Sequence, residues 1–281
     1  DHMTDLRFKR DDVLKRLRDK IARKEAILVC GAGAGLIARL EDQSGADIIV
    51  VYSSGHYRIS GHPAIAGNLP LGDSNQIVYD MGKNDILPMV RDTPVAAGVY
   101  GLDVTRDLGR FMEQLGELGY SGVISFPTVA KFSGDMRREL ESVGLGFQRE
   151  VDMLALARQK GFFTMSYCYS PEEARRLAAV GTDIIISHCG LTTGGDVGAR
   201  EQAPLDLAAE RTQAILSAAL EEHPGVIPLC HGGSIATPED AAYVIGHSCA
   251  KGFVGASSVE RLPVERAIKE TVAAYRAIRL A

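Results

Sequence analysis

The sequence predicts an α/β protein built as a single (β/α)8 TIM barrel, with an added N-terminal helix and a long loop after the second strand. Three observations carry that prediction. Eight short apolar runs recur along the 281 residues. Amphipathic helical patterns alternate with them. No linker or shift in composition divides the chain, and its length suits one barrel.

Taken in order, residues 1–6 fall outside the expected domain, which covers 7–281. Asp1-His2-Met3 reads as a cloning remnant in a disordered N-terminus, so His2 is left out of the chemistry. From Arg7 to Lys24, the residues Val13, Leu14, Leu17 and Ile21 share one stripe and predict a helix. Ala26 to Cys30 is apolar throughout, as a buried parallel strand is. Gly31-Ala-Gly-Ala-Gly35 then opens a short helix through Leu40. Further strands are expected at 46–52, 94–100, 121–126, 162–167, 182–187, 225–230 and 252–256. Helices are expected at 75–90, 104–118, 135–142, 148–160, 171–180, 204–222, 238–247 and 263–279. Ser170-Pro171-Glu172-Glu173 supplies an N-cap, a first-turn proline and a capping-box acid, and Thr237-Pro238-Glu239-Asp240 repeats the device. Residues 53–74 show no periodicity. Loops of that length act as lids or binding loops. His56, Tyr57, Arg58 and His62 could close over an anionic ligand, or the loop could be a surface or oligomer contact.

Composition narrows the function. Apolar residues make up 46% and charged residues 24%, enough to bury a large core. A net charge of −5 without a Lys/Arg run argues against nucleic acid. No apolar run reaches the length of a membrane span, and no signal-peptide pattern opens the chain. Cys30, Cys168, Cys189, Cys230 and Cys249 form no C-x-x-C pair, which fits reduced thiols in a cytoplasmic protein. Neighbouring strand residues face opposite ways. If His188 and His231 face a site, Cys189 and Cys230 fill core. The glycine run after the first strand has Leu36 at the third glycine position of a dinucleotide fingerprint, and the second strand ends without an acid. Neither nicotinamide nor flavin is expected.

In a barrel the site lies at the C-terminal strand ends. Those ends bring Gly31, then Ser53, Ser54 and Gly55, then Asp103, Thr128, Tyr167, His188, His231 and the Ser257 turn. Gly232 and Gly233 let backbone N–H groups approach an anion, and Ser257 and Ser258 add hydroxyls; plain tight turns are the alternative. Asp103 and Glu150 could hold Mg²⁺ or move a proton. Equally, Asp103 could cap a helix and Glu150 could be an exposed helical residue. His188 and His231 could act as acid and base. Tyr167 could donate a hydrogen bond or simply pack. Arg261 could meet a ligand anion or brace Glu260.

Several motifs together resemble one family. They are Tyr52-Ser-Ser-Gly-His-Tyr-Arg58, Gly67-Asn-Leu-Pro70, Phe126-Pro-Thr128, Glu150-Val, His188-Cys-Gly-Leu-Thr-Thr-Gly-Gly195, His231-Gly-Gly-Ser-Ile and Gly255-Ala-Ser-Ser-Val-Glu-Arg-Leu-Pro263. In this order the chain resembles the phosphoenolpyruvate hydrolase-like TIM-barrel family and the C-terminal part of plant tobamovirus-resistance proteins. The resemblance runs from about Arg7 to the end. It implies a barrel related to the phosphoenolpyruvate mutase and isocitrate lyase group, which cleaves or rearranges C–C and C–P bonds of 2-oxo acids with Mg²⁺ in a carboxylate cluster. Here no Asp-x-Asp pair follows the middle strands, and no Lys-Lys-Cys-Gly-His run occurs. The expected function is a hydrolase or lyase cleaving a C–P, C–C or phosphoenol bond of a small anionic 2-oxo acid. The alternative is a ligand-sensing or interaction domain without turnover; a third is metal-free C–C cleavage led by the histidines. A homo-oligomer is expected, with the apolar face of 263–279 against the barrel or another subunit.

Overall fold

The computed structural model describes residues 5–280. Eight parallel strands pair in chain order and close into a barrel. They are β1 (Ile27–Gly31), β2 (Ile48–Val51), β3 (Val95–Val99), β4 (Gly122–Ser125), β5 (Phe163–Cys168), β6 (Ile184–His188), β7 (Ile227–His231) and β8 (Gly252–Gly255). Each lies within two residues of its expected bounds. The helices are α1 (Arg10–Ala22), α2 (Gly35–Gln43), α3 (Ser53–Ile59), α4 (Ser74–Met81), α5 (Leu108–Leu118), α6 (Gly134–Ser142), α7 (Phe147–Gln159), α8 (Pro171–Ala179), α9 (Leu205–Glu222), α10 (Pro238–Gly246) and α11 (Leu262–Arg276).

Three expectations need correction. Residues 53–74 are not irregular: they form α3 and a 3₁₀ turn, Ala64–Asn68. Both pieces are too short for a hydrophobic period to show. The helix expected over 75–90 stops at Met81 and continues as a π turn, Gly82–Ile86, and a 3₁₀ turn, Leu87–Met89. Tyr120 lies against this break. A Cβ on Gly82 would stand 2.4 Å from the Tyr120 hydroxyl, which donates to the Val78 carbonyl at 2.9 Å. A side chain inserted against the helix is a usual cause of such widening. Leu6, left outside the expected domain, is buried in the core. The cloning remnant lies outside the described residues.

Strand alternation sorts the residues. Ile27 and Val29, Ile48 and Val50, and Ile184 and Ile186 fill the barrel interior, while Cys30, Ile49, Ile185 and Cys230 face the helices. α1 lies across the lower end, and its Val13, Leu14 and Leu17 join that interior. Each such side chain contributes about 1.5–3 kcal/mol by burial. Polar ties hold the plug. Arg10 donates to both oxygens of Asp183, at 3.0 and 2.5 Å, and Lys20 meets Asp47 at 2.6 Å. The Phe8 amide donates to the Ser121 hydroxyl at 3.0 Å. α1 thus covers the lower end, and a pocket lies at the upper end.

At the other extreme, α11 buries none of its residues. Ile268, Val272 and Tyr275 stand exposed on it, as does Ile278 beyond its end. Leu28 of β1 is 37% exposed and Leu40 of α2 is 48% exposed, although a barrel strand is normally covered on both faces. The two leucines border one groove beside Val264.

Candidate active site

The upper layer of the barrel continues the inward series of each strand. Above Ile227 and Leu229 comes His231; above Ile184 and Ile186 comes His188. In the same way Tyr167 follows Met165, and Tyr52 follows Val50. β1, β3 and β8 end instead in Gly31, Gly98 and Ala256. The layer is therefore aromatic across β5 to β7, while on the other side Tyr52 stands between the small residues of β1 and β3. A Cβ on Gly98 would meet that of Tyr52 at 2.6 Å, so the large side chains depend on the small ones.

Arg58 of α3 reaches into the space the small residues leave. Its guanidinium stands 3.5 and 3.4 Å from where a Cβ on Gly31 or Gly55 would lie. Only 3% of Arg58 is exposed. Nε donates to Glu260 at 2.6 Å, and the other Glu260 oxygen accepts the Gly33 amide at 2.8 Å. Burial opposes the charge, but Glu260 and the nearby tyrosines outweigh it, so the Arg58 pKa is raised. Nη2 is buried and has no partner among the described residues. It borders a pocket at the barrel mouth of about 70 Å³. On the same measure one water takes about 10–15 Å³, so the space suits a ligand of only a few heavy atoms.

His188 and His231 border the same pocket. They are register partners on β6 and β7, with ring centroids 4.7 Å apart. Their protons sit differently. His188 Nδ1 accepts the Gly190 amide at 3.0 Å, so its proton is on Nε2. His231 Nδ1 lies 2.6 Å from the Val254 carbonyl oxygen and must donate to it, leaving Nε2 as an acceptor. Burial holds His188 well below the usual histidine range, and neighbouring His231 and Lys131 push the same way. Burial lowers His231 to about 4 despite the Val254 bond. Both rings are neutral near pH 7. One can give a hydrogen bond and the other can take one. Beside them, the Tyr167 and Tyr52 hydroxyls bond each other at 2.9 Å. Tyr169 stacks on His188 at 4.7 Å.

Several expected residues stand elsewhere or are already engaged. The glycine turn after β7 is an internal tie rather than an open cradle. Gly233 donates its N–H to the Gly190 carbonyl at 2.8 Å, and a Cβ on Gly232 would stand 2.3 Å from that oxygen. Their φ angles of 81° and 64° are the reason for glycine there. Ser257 borders the pocket and Ser258 does not; Ser54 borders it, while the Ser53 hydroxyl is buried without a partner. Arg261 also borders it, braced by Glu265 at 3.1 Å rather than by Glu260.

Asp103 and Glu150 are not together, and neither borders the mouth pocket. Asp103 accepts from Asn75 at 3.0 Å, from the Thr105 amide at 2.9 Å and from Arg106 at 2.8 Å. Burial alone would raise it, but these bonds hold it well below the usual carboxylate range. It fastens a loop, close to the capping alternative. Glu150 is fully buried, which overturns the exposed alternative. It accepts from Ser125 at 3.1 Å, Thr128 at 2.7 Å and the Val129 amide at 2.6 Å. Burial nevertheless raises it to about 7. Thr128 is thus spent on Glu150. No group of three or more His, Cys, Asp or Glu suited to a metal occurs among the described residues. The mouth presents cationic and neutral donors, a set that suits an anion and does not fit Mg²⁺.

Sequence reasoning missed Lys131 and gave no site role to the loop 191–199, whose first half lies in the motif at 188–195; both border the pocket. Gly190, Gly194, Gly195 and Gly198 were the available signal for the loop. A run of glycines between two strand ends marks a chain that folds back closely, here through a bridge between Thr193 and Ala199.

Comparison with known proteins agrees with the fold. The chain is 44% identical over 271 residues to the ToMV resistance protein Tm-1(GCR237) of Solanum lycopersicum, covering 96% of this chain and 36% of that protein. It therefore spans about a third of that relative's length. A phosphoenolpyruvate phosphomutase from Streptomyces platensis subsp. rosaceus superposes with a TM-score of 0.61 at 18% identity, covering 93% of this chain and 86% of that one. A phosphonopyruvate hydrolase in complex with oxalate and Mg²⁺ superposes with a TM-score of 0.59 at 18% identity, covering 94% and 87%. At such identities these two show a shared barrel alone. The description "Phosphoenolpyruvate hydrolase-like" matches residues 12–278, and the chain belongs to that family.

Proposed function

We propose that the mouth pocket binds a small 2-oxo acid and that the protein cleaves a C–C, C–P or phosphoenol bond in it, as a lyase or hydrolase. The observation that carries this reading is Arg58 Nη2, a buried cationic donor without a partner in a pocket that holds no carboxylate of its own. A ligand carboxylate would satisfy it, and such a charge-assisted bond contributes about 1.5–3 kcal/mol. Ser257 and Arg261 offer further donors. The neutral pair then handles protons: His231 Nε2 accepts one and the His188 Nε2–H supports charge on the substrate oxygen. Mg²⁺ is a property of the solved phosphonopyruvate hydrolase complex; the donors at this mouth do not suit it, and no step here depends on it.

Calorimetry with oxalate and pyruvate, with and without EDTA, tests the reading. Micromolar to millimolar binding that survives chelation is expected, followed by turnover of a 2-oxo acid such as oxaloacetate. Binding without consumption of any 2-oxo acid would favour a ligand-sensing domain. Failure of both anions to bind would remove the reading. The five free thiols support a reducing, cytoplasmic setting. No helix is long and apolar enough to cross a membrane. The uncovered face of α11, together with the groove by Leu28 and Leu40, supports a homo-oligomer.

A further inference from the structure

We propose that Lys131 is a nucleophilic amine of the mouth pocket, condensing through Nζ with the ketone carbon of the bound 2-oxo acid. This rests on the reading of the pocket as a 2-oxo acid site and adds the covalent chemistry.

Placement is the first argument. Lys131 ends the 3₁₀ turn Val129–Lys131 that follows β4, and it borders the same pocket as Arg58, His188 and His231. Its ammonium has no carboxylate partner among the described residues, whereas Arg58 and Arg261 each have one. Nζ lies instead 5.5 Å from the centre of the Tyr169 ring, the ring that stacks on His188. A lysine kept for charge pairing would be expected beside an acid. One that meets only an aromatic face and a small cavity is free to react.

Its backbone is fixed. The Val129 amide and the Thr128 hydroxyl both donate to Glu150, and Thr128 Oγ1 accepts the Ala130 amide at 3.1 Å. The buried Glu150 is thus a positioning residue, holding the turn that presents the amine. Burial also lowers the Lys131 pKa from its ordinary value, which raises the fraction of free amine. While it is still an ammonium, Lys131 pushes both histidines further toward the neutral form.

The Nζ lone pair of the free amine adds to C2 of the 2-oxo acid, whose carboxylate is held at Arg58, while the His188 Nε2–H bonds the carbonyl oxygen as charge gathers there. His231 Nε2 takes one N–H proton and returns it to that oxygen, which gives a neutral carbinolamine. The hydroxyl then leaves as water with one proton drawn from solvent, and an iminium remains. That cation accepts the electron pair of the C3–C4 bond, which breaks with loss of carbon dioxide when the acid is oxaloacetate. Protonation at C3 and addition of one water then return the free amine, a shorter oxo acid and the borrowed proton. No redox partner is required.

Borohydride trapping tests the proposal. The full chain is incubated with pyruvate, reduced, and mapped by peptide mass spectrometry. One reduced pyruvate adduct is expected on the peptide containing Lys131. Excess oxalate, which has no ketone, should suppress it, and Lys131→Arg should lack it while keeping the wild-type thermal midpoint. If calorimetry shows that wild-type protein binds oxalate and pyruvate but no adduct forms at Lys131, the amine role is overturned and the pocket reading stands. If neither acid binds, the underlying reading falls with it.

Discussion

His188 and His231 stand opposite each other in the β6–β7 ladder and keep their protons on opposite ring nitrogens. The proposed acid–base roles need such an asymmetry between two identical side chains, and two backbone groups impose it. His231→Ala should lower turnover of an accepted 2-oxo acid by roughly 10²–10⁴. His188→Ala should lower it less and weaken binding as well. Equal, small effects from both would reject the division of roles.

The same pair makes the fold acid-sensitive. Folded His231 stays neutral down to about 4, while an unfolded histidine takes up a proton below roughly 6.5. Between those values the unfolded state binds more protons, so stability falls as pH is lowered. Urea midpoints at pH 7 and 4.5 should show wild type losing about 2 kcal/mol more than His231→Gln over that interval. Parallel losses would contradict the burial of a neutral ring.

Arg58 and Glu260 should separate binding from folding. Arg58→Met leaves Glu260 buried and unpaired, a loss of about 3–5 kcal/mol. The double variant Arg58→Met/Glu260→Gln should recover most of that stability and still fail to bind oxalate. Retention of oxalate affinity in the double variant would place the anion elsewhere.

Glu41 has both carboxyl oxygens buried without a partner, and burial raises it to about 9, with nearby Glu260 adding to the shift. The unfolded carboxyl ionises above about 4.5. From there to about 9 the folded state binds the extra proton, so stability falls as pH rises. Glu41→Gln removes this dependence and should be more stable than wild type at pH 8 by at least about 2 kcal/mol. Thermal midpoints at pH 5 and 8 decide it; an unchanged pH profile would mean that Glu41 finds a partner.

The exposed face of α11 should hold copies of the chain together. Ile268→Asp with Val272→Asp should lower the mass seen by sedimentation equilibrium without lowering the thermal midpoint of the barrel. A wild-type chain that sediments as a monomer would end the proposal.

Much of the barrel was legible because its signal is one-dimensional. β2 needs only Ile48 to Val51, buried on both faces, to announce itself as a run of apolar residues. His188 and His231 were legible for the same reason, each ending such a run. Arg58 could be suspected as a loop cation, but its use required α3, a helix of seven residues that leaves no period in the sequence. Glu260, its partner, is 202 residues away, and nothing local marks the pairing. Asp103 and Glu150 show the converse. For Asp103 a place just after a strand, and for both an acidic side chain, suggested chemistry, yet the structure spends their oxygens on Thr105, Arg106, Thr128 and Val129. Which acids are already satisfied is a three-dimensional fact.

The bond between the Tyr52 and Tyr167 hydroxyls has a kinetic consequence. The two phenols stand above an apolar interior against which α1 packs from below, and the pocket lies at the upper end. A ligand reaches the pocket through that mouth, and the chain at 191–199 borders it. Ligand traffic past that segment sets the exchange rate: stiffening residues 194–198 should slow entry and exit together, leaving the bound-state equilibrium nearly untouched, as stopped-flow binding of oxalate would show.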